Sequence, residues 1–394
     1  MRRNDTAVLL TSLRFDRREL AGAVADVGVL VPIAVALIVA NGLSPTAVLL
    51  PAALLYLVNA FLYDLPLPAQ PLKAFGAIAI AESLGAEEIA AGALLIGAIF
   101  FTAGRLGLLD LAARVFPQAL IRGIQLTVGL LFLQIAWGLV NEPPNAFAGY
   151  AVEPAWGIPI GLTLLAVALA FKRAGISLLL VAAGAIVMLI LAADEASLGP
   201  SALTVPSLDA AAFATAFTVL VLPQAPLSFA NSCLAPADAA RVYFGERAAP
   251  VRPGSLATTY GVANLFAGSI SGMPVCHGAG GLTAHYSFGA RTAGAPLVMG
   301  TALLVLAVGA GAGLAALLPA FPLPILAALL AAAGVLHIGL LRDLSGAWSW
   351  TLALAVGAVG FALNLMWALA LGLAAWWIAH AFRWARRREA EATA

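Results

Sequence analysis

The sequence predicts an all-α polytopic membrane protein, with about fourteen transmembrane segments in two inverted seven-helix repeats. Three observations carry that reading. The 394-residue chain is 62% hydrophobic and 10% charged, with a mean hydropathy of +1.00; soluble domains carry roughly 25% charged residues. Its basic residues fall in alternate loops, on one side of the apolar runs. Two of the runs, residues 65–81 (LPLPAQPLKAFGAIAIA) and 272–290 (GMPVCHGAGGLTAHYSFGA), are interrupted by polar, proline-framed sequence. Non-helical backbone at membrane depth persists only where it is buried in protein or lines a cavity. A pair of such breaks at corresponding places in two halves points to a binding site at the repeat interface.

Taken in order, the apolar runs and their Gly, Pro and charge punctuation give spans at 20–40, 45–63, 69–83, 87–104, 118–140, 156–171, 174–193, 212–233, 254–270, 276–288, 293–318, 320–341, 346–362 and 364–383. The start, MRRNDTAVLLTSLRFDRREL, lacks the basic, apolar and small-residue order of a cleavable signal. The third and tenth spans are too short to cross a hydrocarbon core of roughly 30 Å alone. Each follows an extended proline-containing stretch, as a half-helix does, and half-helices 3 and 10 hold the same place in spans 1–7 and 8–14. Seven is odd, so the second repeat must run inverted, which places a ligand near the midplane between the two short helices.

Loop charge tests this count, because cytoplasmic loops are rich in Lys and Arg. With the N-terminus inside, the cytoplasmic segments hold Arg2, Arg3, Arg14, Arg17, Arg18, Arg105, Arg114, Arg122, Lys172, Arg173, Arg241, Arg247, Arg252, Arg291, Arg342, Arg383, Arg386, Arg387 and Arg388. The opposite loops hold Glu82, Glu87, Glu88, Glu142, Glu153, Asp194, Glu195 and Asp209, with no Lys or Arg. An error of one span would break the alternation, so an even count with both termini cytoplasmic is expected. Of the 20 basic residues only Lys73 is left over, inside span 3 beside the first break. An ionisable side chain at membrane depth is costly and marks function. Its place in the broken segment favours that role over snorkelling to an interface.

A helix that starts within the membrane presents unsatisfied N–H groups and the positive end of its dipole. Two such ends facing each other make an anion site. At the first break, Pro68 and Pro71 fit an extended approach and a helix start. Gln70 offers amide donors there, and Lys73 is expected about one turn in. At the second, Pro274 precedes Cys276, His277, Gly278, Ala279, Gly280 and Gly281, where small residues let backbone N–H groups approach a ligand. His277 adds a donor, or a group that titrates near neutral pH. Span 8 contributes Gln224, Ser228 and Asn231, which share one face of an α-helix; the alternative for them is inter-helix hydrogen bonding. Asp26, the only carboxylate deep in a predicted span, is a proton site or a partner for Lys73. His277 and Asp238 are the other proton-coupling candidates, while His285, His337 and His380 read as structural. Two cysteines, Cys233 and Cys276, give neither a disulfide framework nor a metal-ligand set, and no metal or cofactor is expected. Cys276 beside His277 is the one candidate nucleophile–base pair, and neighbours about 100° apart on a helix pair poorly, so no enzyme is expected.

Four blocks carry a resemblance: ELAGAVADVGVLVP (19–32), PLPAQPLKA (66–74), LPQAPLSFANSCLAPADAARVYF (222–244) and GMPVCHGAGGLTAHYSFGARTAGAP (272–296). In these the chain resembles, over essentially its whole length, the molybdate transporter family, a branch of the SulP-type sulfate permease superfamily. It departs modestly, with Ala69 where Val is commoner and Leu72 where Met is commoner. The resemblance implies two inverted seven-helix repeats, as in nucleobase and bicarbonate transporters. Residues 1–108 and 209–318 would form a core domain, and 109–208 and 319–394 a gate domain with a short cytoplasmic tail. It implies elevator-like alternating access and import of molybdate. The substrate would be held by Gln70, Lys73, Gln224, Ser228, Asn231, Cys276, His277, Gly278, Ala279 and Gly280. The chain runs eleven residues past Arg383, so no cytoplasmic regulatory domain is expected, which favours the molybdate branch.

Sulfate and tungstate stay open as alternative substrates, because no residue separates them from molybdate. A nucleobase–proton symporter is the weaker alternative, since acidic residues would be needed where Asn231 and the Gly278 to Gly281 run stand. The partners expected are a tetrahedral oxyanion and the lipid bilayer, and no nucleic acid. The oligomeric state is open, a homodimer included. A multi-pass protein of a bacterial inner membrane fits the absence of organelle-targeting features.

Overall fold

The computed structural model describes residues 13–24, 27–109, 117–171 and 174–393. In the first half, α1 (Arg17–Ala23) and α2 (Val27–Val39) take the place of span 1, followed by α3 (Pro45–Tyr63). A short strand β1 (Gln70–Pro71) leads into α4 (Lys73–Ala81), then α5 (Ala86–Leu106), α6 (Gln118–Asn141), α7 (Pro154–Phe171) and α8 (Ala174–Ala192). The second half opens with a long helical segment, α9 (Ala210–Ala248). It continues with α10 (Pro253–Ser269), β2 (Val275–Cys276), α11 (Ala279–Phe288) and α12 (Gly294–Gly309). Then come α13 (Gly311–Ala320), α14 (Leu323–Gly339), α15 (Ala347–Ala362) and α16 (Leu365–Thr393). Each half carries one strand and one short helix at the corresponding place, as the breaks in the sequence require.

Among the described residues, eight helices are long and apolar enough to cross a bilayer, or nine if the bent pair α12 and α13 is one span. The boundaries that differ from the sequence reading include those of spans 8, 10 and 11. Span 11 is not one helix, because α12 and α13 meet at 79° about Ala310, between Gly309 and Gly311. Span 10 starts later, at Ala279, because Val275 and Cys276 are drawn into β2. Span 8 runs on to Ala248.

The segment α9 is not uniformly α-helical. Ala216–Val221 and Ser228–Leu234 are π-helical turns on either side of Leu222–Leu227, which contains Pro223 and Pro226. Proline removes an intrahelical donor and crowds the preceding turn, and local widening lets the freed backbone groups find other partners.

The most extensive helix contacts fall into two sets. One joins α10 to α5 and α12 to α3; the other joins α14, α15 and α7 around α6, with α16 on α15. The α5–α10 contact is close because glycines line it. A Cβ on Gly97, Gly104, Gly261 or Gly268 would run into the facing backbone, the small-residue packing common between membrane helices. Tyr56, Tyr260, Phe75 and Phe132 are fully buried in the interior. Large apolar side chains such as Trp156, Leu162, Ile190 and Phe382 are exposed on the outside. That surface is a liability in water and suits acyl chains.

Candidate functional site

The two breaks meet. Strands β1 and β2 pair antiparallel, with Gln70 opposite Cys276 and Pro71 opposite Val275. Leu72 N donates to Pro274 O at 3.0 Å and extends the pairing by one bond. Pro71 has no N–H, so so short a ribbon needs outside support. Asn264 on α10 supplies it: its Oδ1 accepts from Val275 N (2.9 Å) and its Nδ2 donates to Val275 O (2.8 Å). The ribbon brings the starts of α4 and α11 together. Gly278, the residue before α11, packs on Gln70 so closely that a Cβ there would overlap Gln70 Oε1, and that Cβ would lie 3.5 Å from Lys73 Nζ.

Neither helix start is capped by the side chain before it, since Leu72 and Gly278 offer none. One amide of α4 has a partner: Phe75 N donates to Gln224 Oε1 at 2.9 Å. Gln224 Nε2 in turn donates to Ser228 Oγ (3.0 Å), which shares a 2.6 Å hydrogen bond with Tyr260 Oη. This chain ties α9 and α10 to the start of α4. Lys73 is the first helical residue of α4 rather than a turn inside it, and its Nζ donates to Gln70 Oε1 at 2.8 Å. Lys73 is half-buried, Ala279 is half-buried and Gly280 is exposed. A Cβ built on Gly280 would meet nothing within 4 Å. The backbone amides at the start of α11 therefore border open space, with an ammonium group beside them.

His277 plays a different part from the one its sequence context suggests. It is fully buried. Asn59 Nδ2, which also donates to Pro68 O at 3.0 Å, donates to His277 Nδ1 (3.2 Å). His277 Nε2 lies 2.8 Å from Thr259 Oγ1, whose own proton faces the carbonyls of Ser255 and Leu256. These bonds agree with a neutral ring protonated at Nε2, with both nitrogens taken. His277 thus holds β2 against α3, α10 and the first break, and is not free to face a ligand. His285 repeats the device one helix on: buried, it donates from Nδ1 to Pro66 O at 3.0 Å.

The other expected site residues divide. Gln70, Lys73, Gly278, Ala279 and Gly280 converge at the two helix starts. Gln224 and Ser228 are buried and serve the scaffold behind α4. Asn231 is half-buried and stands outside this hydrogen-bond set. The π turn Ser228–Leu234 shifts it off the face an uninterrupted α-helix would have shared with Gln224. Cys276 is buried in β2, its Sγ 3.8 Å from Pro71 O, before α11 rather than on it. Asp238 is exposed on the last part of α9 and not at the site. Asp26 lies outside the described residues. Among the described residues no cluster of His, Cys, Asp and Glu is placed to hold a metal ion.

Sequence reasoning missed Asn59, Thr259, Tyr260 and Asn264. The available signal was a polar residue inside an apolar run near a break, which needs a partner when buried. His337 on α14 is half-buried and held by its own helix and a neighbouring ring. Its Nδ1 donates to Ala333 O at 3.0 Å and its ring sits edge-on to Phe132.

Comparison with known proteins agrees with this architecture. Residues 18–132 and 216–336 match the family model described as "Molybdate transporter of MFS superfamily". Molybdate transporter 1 of Arabidopsis thaliana is 30% identical over 86% of this chain and 83% of its own length. Molybdate transporter 2 of the same plant is 26% identical over 80% of this chain and 77% of its own. Among solved structures, the transmembrane domain of the cyanobacterial bicarbonate transporter BicA superposes with a TM-score of 0.65 at 20% identity, covering 89% of this chain and 97% of that one. The murine anion transporter Slc26a9 in its inward-facing state gives 0.67 at 15% identity, covering 97% of this chain and 72% of that one. At these identities the structural likeness speaks for the fold.

Proposed function

Because the chain belongs to the molybdate transporter family, we propose that it imports molybdate, held as a dianion between the starts of α4 and α11. The observation that carries the proposal is the convergence of two uncapped helix N-termini on Lys73. Each helix start is worth about half a positive charge, so the two together with Lys73 balance about two negative charges. The directional donors are Lys73 Nζ and the backbone amides at the two helix starts. Gln70 holds Lys73 in place, and Gln224 and His277 keep the helix starts in register.

At 9 and 10 residues, α4 and α11 are about 14–15 Å long at 1.5 Å per residue, half of a roughly 30 Å core. We read them as half-membrane helices in a fourteen-segment, inverted-repeat protein. We assign the helices of the first contact set to a core, residues 1–108 and 209–318, and those of the second to a gate, 109–208 and 319–394. Alternating access by elevator-like movement of core against gate is the mechanism this division supports. Both termini cytoplasmic, in a plasma or bacterial inner membrane, is the orientation that loop charge supports.

The test is uptake of labelled molybdate by cells making the full chain, with unlabelled molybdate, tungstate or sulfate as competitor. Saturable uptake, blocked by molybdate and tungstate at concentrations at least tenfold below sulfate, supports the assignment. Sulfate competing best would make the chain a sulfate carrier. Lys73→Met, expressed at the wild-type level, should lose nearly all uptake; retention of uptake would remove Lys73 from the site.

A further inference from the structure

The geometry points to a second ligand site, for a phosphate group that also carries a hydrogen-bond donor, in the pocket between α1 and the turn from α11 to α12. The pocket holds about 330 Å³ and is lined by Arg14, Asp16, Arg18, Glu19 and Arg291 with the main chain around Gly289. It lies apart from the helix starts of α4 and α11 and does not depend on what binds there.

The argument begins with how the charges are used. Asp16 Oδ1 accepts from Arg18 N (2.8 Å) and Glu19 N (3.0 Å), closing the start of α1. Glu19 is 1% exposed, and its Oε1 accepts from Arg291 N and Thr292 N, both at 2.8 Å. Both carboxylates thus accept from backbone amides, and among the described residues neither forms an ion pair with the arginines around it. The Arg291 guanidinium donates to Tyr286 O and Ala290 O and sits 3.7 Å over the Tyr286 ring. The Arg14 and Arg18 side chains are exposed, and neither guanidinium has an ion-pair or hydrogen-bond partner among the described residues. Two free guanidiniums at one concavity are a phosphate-binding arrangement.

A second observation narrows the ligand. Glu19 lines this pocket, and its buried Oε2 has no hydrogen-bond partner among the described residues. A buried acceptor left unmade is costly, and a bare anion beside it would be repelled. A ligand bearing both a phosphate and an ammonium or hydroxyl group satisfies the two arginines and Glu19 together. Phospholipid headgroups with an amine or a glycerol have this chemistry, and so does a soluble phosphate monoester. The surroundings favour the lipid source: Phe15 and Leu20, on the same stretch, are 57% and 44% exposed, and the first long apolar helix starts here. Basic residues at such a position attract anionic headgroups.

The test follows the apparent melting temperature of the full chain in detergent. Short-chain phosphatidylglycerol, phosphatidylethanolamine and phosphatidylcholine are titrated, and separately glycerol 3-phosphate and inorganic phosphate. Phosphatidylglycerol or phosphatidylethanolamine should stabilise at concentrations at least about tenfold below phosphatidylcholine, whose headgroup has no donor. Arg14→Gln with Arg18→Gln should raise the concentration needed at least about tenfold. If that double variant does not fold, Arg14→Gln alone carries the test, with a smaller shift in the same direction. Glu19→Gln keeps the acceptor used by Arg291 N and Thr292 N, replaces the unpaired oxygen with a donor, and should abolish the preference over phosphatidylcholine. Stabilisation by glycerol 3-phosphate with no response to lipid would support the site and assign it to a soluble phosphate. Equal stabilisation by phosphatidylcholine, no response to any ligand, or an unchanged response in the arginine variants would overturn the proposal.

Discussion

At the scale of single residues, the site depends on a few contacts with no slack. Gly278 is one: its φ of −65° suits any residue, so the requirement for glycine comes from the approach of Gln70, whose Oε1 occupies the space of a Cβ. Gly278→Ala should push Gln70 away and release the Lys73 ammonium from its 2.8 Å hydrogen bond. The expected result is a loss of molybdate uptake of about tenfold or more at unchanged expression, since about 1.4 kcal/mol is a factor of ten. Wild-type uptake in that variant would mean that the Gln70–Lys73 contact is dispensable. Asn264 is the second such residue. It is fully buried and satisfies both the N–H and the C=O of Val275. Asn264→Ala strands two buried backbone groups at about 1–3 kcal/mol each. A clear fall in melting temperature is expected, larger than for Asn231→Ala, whose half-buried side chain takes no part in these bonds.

At the scale of elements, the sequence was most legible where composition alone decides. The span at 45–63 coincides with α3, and those at 118–140 and 174–193 end within one residue of α6 and α8. The two breaks were also legible, because Pro66, Pro68 and Pro71 are clustered and Pro274 is followed by polar and glycine-rich sequence, whereas a lone proline such as Pro51 is tolerated inside α3. What escaped was how the breaks pair. Gln70 and Cys276 lie far apart in the chain, and no local pattern announces a two-residue ribbon between them. The π turns of α9 escaped for a related reason: Pro223 and Pro226 signal an irregularity but not its register, so the α-helical spacing of Gln224 and Asn231 does not carry over. His277 read as a ligand because its partners, Asn59 and Thr259, sit on other helices. Local capping, by contrast, follows simple rules and gives a pH prediction. The amides of Glu19 and Arg18 hold the Asp16 carboxyl below its ordinary value of 3.8. A depressed carboxyl contributes stability in full above its unfolded value and loses it as pH falls through the folded one. Asparagine caps without titrating. The melting-temperature difference between wild type and Asp16→Asn should therefore be constant above about pH 5 and shrink below about pH 4. A difference that stays flat down to pH 3 would mean the cap contributes nothing through its charge.

At the scale of the whole molecule, the helices proposed as core and those proposed as gate meet at a few identifiable points. One is α4 against α6. Another is α2 against α8, where a Cβ built on Gly28 would lie 2.8 Å from Ser177 Cβ. If core slides against gate during transport, that contact must open and close. Cysteines at both positions would start closer than the roughly 3.5–4.5 Å that separates the Cβ atoms of a disulfide, so a small adjustment lets them join. The native Cys233 and Cys276 are buried and form no disulfide, which keeps the background low. Gly28→Cys with Ser177→Cys should transport molybdate under reducing conditions, stop when oxidised, and recover on reduction. Each single variant must keep its uptake under oxidant, so that the loss reports the crosslink and not the added side chain. A crosslinked protein with undiminished uptake would show that α2 and α8 move together, and the boundary between the moving and fixed parts would then have to be drawn elsewhere.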